Sequence, residues 1–335
     1  MENIDDLSRR IVSAAINCTD VEIIDEARFG EGDYSNELIF FIKPEIFLLN
    51  GADSVKKSVG MILSKLSEFK ADIAGIYAIS GSVLDKHNIM AKHYGFINVM
   101  STSASKIVDA QSREKISQAY NLGEFAIMGG HEYLKAYPSE TPDGLDRLWF
   151  EDKSVKIRSG FYVRHIKKDG RDIVLVNGFH PKQLAYFTDP THRIVLMLLH
   201  SNSAWGRLKN GMVGATFPDK AESESMRGTF FRDAKAYGFE SVTIANNCVH
   251  LSAGPFEGMF EIFNFFGKIT PADLRTQSQP LILRKMIASG IGKDLALTAL
   301  ENPRFEMSGK QTDLFSATED TDTDKAIEIF RQNVG

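Results

Sequence analysis

Residues 193–200, RIVLMLLH, are apolar almost without a break. A run this short and this rich in branched side chains reads as a strongly buried strand, so the rest of the chain has to build a sheet around it. Residues 37–42, ELIFFI, form a second such run. It stops at Lys43-Pro44, because proline has no N–H to give to a ladder. Residues 73–79 make a third strand. Between them, Val55, Val59, Ile62, Leu63 and Leu66 recur at helical spacing over 54–69. Ser80 or Ser82 can cap a helix over 83–94. His180-Pro181 opens a helix to 188, 211–217 is a glycine-rich loop, 242–249 reads as a strand, and 256–266 as a helix with an aromatic face.

Residues 101–178 differ, carrying Tyr-Pro, Pro-Asp-Gly and Lys-Lys-Asp-Gly turn signals. Strands over 161–166 and 172–176 flank Lys168-Asp169-Gly170 as a hairpin. We read 101–178 as an inserted subdomain, 1–34 as a helical N-terminal extension, and 35–100 with 179–267 as the core. Residues 268–335 form a polar tail with helices near 281–299 and 323–333, and an acidic, disordered run over 318–324. With the insert set aside the core reads βαββαβ. That is an α+β, ferredoxin-like arrangement with an inserted subdomain and a helical C-terminal extension. There is no internal repeat.

The chain has 335 residues, 43% hydrophobic and 25% charged, enough for one large or two smaller domains. Its net charge of -5 argues against a nucleic-acid partner. Cys18 and Cys248 stand far apart, so neither a disulfide framework nor a zinc site is expected, and a reducing, cytoplasmic location fits. The first residues lack a signal peptide's pattern, and no apolar run approaches the roughly 18 residues that span a bilayer.

The chemistry centres on Asn247-Cys248-Val249-His250-Leu251-Ser252. A histidine ending an apolar run, before a small polar turn, stands at a strand end and faces a cleft. Glu261, eleven residues later, can hold one ring nitrogen while the other attacks. A lone histidine beside an apolar run is more often a satisfied core or surface residue. His93, His180 and His200 are read that way.

Two blocks resemble nucleoside diphosphate kinases. Residues 37–49, ELIFFIKPEIFLL, resemble that family's first strand and Lys-Pro-Asp/Glu element. Residues 211–266 resemble its Gly-x-Thr-x-Pro, Arg-Gly and Asn-x-x-His-x-Ser elements in order, followed by a helix carrying Glu261, Ile262 and Phe266. With the helices between them, the blocks cover about half of the chain. The resemblance implies a relay: His250 takes the γ-phosphoryl group of ATP as phosphohistidine and passes it to a nucleoside diphosphate. It implies that Glu261 accepts a hydrogen bond from the other ring nitrogen, and that Ser252 supports that carboxylate or the leaving group. Lys43 binds the transferring phosphate and the sugar hydroxyl, Tyr94 crowds the histidine, Thr216 and Arg227 bind the β-phosphate, and Asn247 binds the ribose. Magnesium bridges the phosphate oxygens, held mostly by the nucleotide rather than by a protein metal site. A homo-oligomer is implied as well.

The chain departs from that family in four places. About 80 residues intrude between Tyr94 and His180. Asn210 stands where a phosphate-binding arginine belongs, leaving Arg207 or Lys209 to substitute. About ten residues are added between Arg227 and Asn247. Ser252-Ala253-Gly254 replaces Ser-Asp-Ser. A nucleotide-binding sensor on the same fold, or a histidine phosphotransferase or hydrolase with another substrate, are the alternative readings.

Overall fold

The computed structural model describes residues 3–158 and 160–334. The chain is α+β and divides into two units: Met1–Val83 with Pro190–Gly335, and Leu84–Asp189. Along the chain the first unit contributes β1 (Val21–Asp25), β2 (Asn36–Ile42) and β3 (Ala71–Ser80). The second contributes β4 (Ala126–Gly129), β5 (Val155–Arg158), β6 (Phe161–Lys168) and β7 (Arg171–Val176). The first then resumes with β8 (Arg193–Ser201), β9 (Val249–Leu251), β10 (Arg304–Met307) and β11 (Lys310–Asp313).

In the first unit five strands pair in the order β1-β3-β8-β2-β9, every pair antiparallel. Alternate residues of a strand face opposite ways. Leu38, Phe40 and Ile42 of β2 and Val195, Met197 and Leu199 of β8 join one core cluster. Ile11 and Ala15 of helix α1 (Ile4–Asn17), and Val59 and Ile62 of helix α2 (Ala52–Glu68), complete it. On the other face Phe41 meets Phe265, and Tyr77 meets Phe266, at centroid distances of 5.8 and 5.2 Å. Both phenylalanines belong to helix α3 (Pro255–Ile269). With both faces covered, β8 has no wet side, which is why its sequence does not alternate. Each large apolar side chain buried this way contributes roughly 1.5–3 kcal/mol.

Residues 268–334 pack instead of trailing. Leu283 and Met286 of helix α4 (Leu281–Ala288), and Ala326 and Phe330 of helix α5 (Thr323–Asn333), cluster with Phe256 and Met259 of α3. Glu37 secures the start of this extension. It lies opposite His200 in the β2–β8 register, with its Oε1 2.9 Å from His200 Nε2. The same carboxylate accepts the N–H of Gly30 at 2.7 Å and of Leu281 at 2.8 Å. The acidic run expected to be disordered also makes defined contacts. Asp322 Oδ1 accepts from the Asn36 amide and the Trp205 N–H.

Other elements differ from expectation for local reasons. The strand expected over 242–249 begins only at Val249. Ahead of it, Thr243 N–H donates to Asn246 Oδ1 and Asn246 Nδ2 to the Ser241 carbonyl, so side chains close a turn in place of a ladder. The helical stretch 281–299 breaks at Gly290, whose φ is 89°, before resuming at Lys293–Leu297. The 83–94 helix is divided at Asn88, with φ 52°. β1 is an additional edge strand, paired with β3 from Val21↔Ile79. No helix among the described residues is long and apolar enough to cross a membrane.

The second unit holds a four-stranded sheet, β4-β7-β6-β5, with β4 and β7 parallel. The β6–β7 hairpin turns through Asp169 and Gly170, with φ of 53° and 75°, the two positive values a two-residue turn of this hand requires. Met100, Ile116, Phe161 and Val174 pack in one cluster, and Tyr133, Trp149, Ile173 and Leu175 in another. This unit extends past 101–178 at both ends, because the helices flanking that stretch belong with it.

Candidate functional site

β9 is only three residues long and adds to the free edge of β2, pairing Phe40↔Leu251, Phe41↔His250 and Ile42↔Val249. The pairing sets the His250 ring flat against Phe41, with centroids 4.5 Å apart and planes 21° from parallel. His250 Nε2 lies 2.7 Å from Glu261 Oε1. Glu261 is fully buried on α3, and its Oε2 accepts the Ser252 hydroxyl at 2.6 Å. Ser252 Oγ in turn accepts the Ile39 N–H at 3.0 Å. The carboxylate is thus gripped through both oxygens, and the imidazole is oriented by a buried acceptor.

The chain just before His250 is bent by Cys248, whose φ of 70° is uncommon for a residue with a side chain. Its N–H donates to Glu45 Oε1 at 2.8 Å, and its carbonyl accepts the Lys43 N–H at 2.9 Å. The Lys43-Pro44-Glu45 element therefore clasps the approach to the histidine. Burial lowers the Lys43 pKa against the opposing pull of Glu45, and the Arg227 charge lowers it further. Lys43 Nζ donates to Asn247 Oδ1 at 2.6 Å, and Asn247 Nδ2 donates to the Thr216 carbonyl at 3.0 Å.

Arg227 is buried on the helix Met226–Arg232. It donates through Nη1 to the Gly214 carbonyl at 2.9 Å and through Nη2 to the Val249 carbonyl at 2.7 Å. Its Nε has no hydrogen-bond partner among the described residues. Burial pulls its pKa down to about 10, despite the nearby Cys248 and Glu45. A half-buried lysine that feels the charge of a buried arginine makes a site that favours an anion.

Of the residues singled out in the sequence, the structure joins His250, Glu261 and Ser252 directly, and Lys43, Asn247 and the Thr216 backbone in a second string. The Thr216 side chain is exposed. Arg207 is exposed, with its guanidinium 5.3 Å over the Phe69 ring. Lys209, the other substitute, lies on a π-helical turn (Leu208–Val213) and pairs with Glu319 and Asp320. Tyr94 belongs to the second unit, where its ring stands 5.2 Å from that of His180. His180 is buried between Asn98 and Gln183, and burial brings its pKa down to about 4. Sequence reasoning assigned no role to Phe41 or Glu45. A period-two count from Phe41 finds the stacking face of β2, but nothing local marks Glu45 as the partner of Cys248.

As to metal, within the first unit Glu261 and Glu45 are already engaged by His250, Ser252 and the Cys248 N–H, and the Lys43, Arg227 and Asn247 side chains add no anionic ligand.

No family model and no curated protein matches the chain. Among solved structures it is similar to the apo nucleoside diphosphate kinase of Encephalitozoon cuniculi in its cubic form, at 12% identity and TM-score 0.35. That similarity covers 71% of this chain and 94% of that one. It is also similar to an NDP kinase of Pyrobaculum aerophilum, at 18% identity and TM-score 0.33, over 69% and 95%. These overlaps are slight, and the functional reading rests on the side-chain geometry.

Proposed function

We propose that the chain is a nucleoside diphosphate kinase-like phosphotransferase on a ferredoxin-like core, acting through a phosphohistidine at His250. The strand order β3-β8-β2-β9, all antiparallel, supports that core. One observation carries the chemistry: His250 Nε2 is engaged 2.7 Å from a fully buried carboxylate that Ser252 also holds.

With Nε2–H donated to Glu261, the lone pair of Nδ1 is the nucleophile. It attacks the γ-phosphorus of ATP, a nitrogen–phosphorus bond forms, and the bond to the β–γ bridging oxygen breaks. ADP leaves with that electron pair. Glu261 balances the positive charge on the phosphorylated ring. A terminal phosphate oxygen of a second diphosphate then attacks the same phosphorus and restores the histidine. Lys43 and Arg227 supply positive charge for the phosphates, Arg227 through its Nε edge, and Thr216 and Arg207 add polar contacts. Asn247 holds Lys43 in line and offers its amide to the ribose. A homo-oligomer is proposed to be the working form. A magnesium ion bound to the triphosphate would supply neutralisation of phosphate charge.

The commitment of Arg227 to two carbonyls, and of the Lys43 amine to Asn247, favours a second reading, a nucleotide sensor with little turnover. Steady-state exchange between ATP and several diphosphates separates the two. Parallel double-reciprocal lines with turnover support the kinase, nucleotide binding without turnover selects the sensor, and neither binding nor turnover rejects both.

A further inference from the structure

The C-terminal extension reaches the loop that follows His250. Asp320 N–H donates to the Ala253 carbonyl at 3.0 Å. A Cβ at Gly254 would meet the Thr318 carbonyl at 2.5 Å, so only glycine lets the two backbones approach this closely. The Ala253-Gly254 departure is thus matched to a segment lying on top of it.

From that segment a run of hydrogen bonds leads to the imidazole. Asp322 Oδ1 accepts the Trp205 N–H at 2.7 Å while also accepting from Asn36 Nδ2 at 3.0 Å. Asn36 returns the contact, its Oδ1 accepting the Thr323 N–H and hydroxyl. The indole of Trp205, wholly buried, donates through Nε1 to the Ser252 carbonyl at 3.0 Å. Ser252 grips Glu261, and Glu261 grips His250.

We propose that Trp205 and Asp322 are positioning residues for His250, so that the C-terminal extension is a working part of the site. The inference rests on the phosphohistidine reading for its kinetic consequence, but its geometric consequence stands apart from it. Ser252 offers its carbonyl to the indole and its hydroxyl to the carboxylate. Losing the indole N–H frees a buried carbonyl and lets the serine, and then Glu261, turn.

The test uses the full-length chain with Trp205→Phe, Asp322→Ala and Asp322→Asn. Asp322 is exposed, so its replacement leaves the core intact, and Trp205→Phe keeps a ring in place. Two quantities are read: the exchange rate of the His250 Nε2–H proton by NMR without nucleotide, and kcat and KM for phosphoryl exchange. Proton exchange about tenfold faster in Trp205→Phe and Asp322→Ala is expected, with kcat down about five- to tenfold and KM within about twofold. Asp322→Asn, which keeps an acceptor oxygen, restores both. Unchanged proton exchange in folded Trp205→Phe and Asp322→Ala overturns the proposal. Faster exchange in a protein that forms no phosphohistidine upholds the positioning role and rejects the kinase reading alone. Where one variant does not fold, the other decides.

Discussion

Phe41 and His250 face each other across the β2–β9 ladder with their rings stacked 4.5 Å apart. The stack fixes the plane of the imidazole, and Glu261 fixes its rotation within that plane. In the proposed reaction, a ring held in both senses would meet the phosphorus atom in one orientation, which is what an in-line displacement needs. Truncating Phe41 removes a side chain that is 1% exposed. Phe41→Ala is expected to cost about 3–5 kcal/mol of stability, whereas Phe41→Leu should fold and lose activity through the freed ring. Denaturant melts with kcat on the same samples check both parts.

Glu261→Gln keeps the size of the side chain but removes the charge that, on the proposed mechanism, steadies the phosphorylated ring. A fall in phosphoenzyme formation of about a hundredfold or more is expected, with nucleotide affinity nearly unchanged. Single-turnover labelling alongside equilibrium nucleotide binding measures the two separately.

Cys248 tests the bent approach to the histidine. A β-branched side chain tolerates a φ of 70° poorly, and Cys248 is fully buried. Cys248→Val is expected to destabilise the protein by about 1–3 kcal/mol, and to weaken the site because the Glu45 contact and the Asn247 amide move with it. A thermal melt and a nucleotide titration give the two readings.

Glu257 sits one helical turn before Glu261. Burial, then the charge of Glu261 and of Glu319, push its pKa from 4.5 up to about 8, against the pull of Lys209. Below pH 4.5 both folded and unfolded chains hold this proton, so it costs nothing. Between pH 4.5 and about 8 the folded chain keeps a proton that the unfolded chain has released, and stability falls as pH rises. Glu257→Gln removes that slope. The variant should match wild type near pH 4 and exceed it by on the order of 2 kcal/mol at pH 9, after discounting for a partly exposed group. Urea midpoints across this range check the sign.

What was legible in the sequence follows from how local each signal is. The runs at 193–200 and 37–42 announce themselves because both faces of β8 and β2 are covered, so no polar residue interrupts them. Asp169-Gly170 marks its hairpin because the turn demands positive φ there. His250, Glu261 and Ser252 stand close in sequence, and one strand and one helix bring them together. The segment before Val249 misleads because Asn246 and Cys248 impose a turn on residues with strand-like propensity. β1 is half exposed and lacks a continuous run. The contacts of Asp322 with Asn36 and Trp205 span 286 and 117 residues, and no local pattern encodes a pair so far apart.

The most direct measurement incubates the protein with γ-labelled ATP and magnesium beside His250→Asn, then adds unlabelled diphosphates. Acid-labile label is expected on the wild type only, chased fully onto the diphosphates. Absence of label from a folded wild type that still binds ATP would contradict the proposed mechanism.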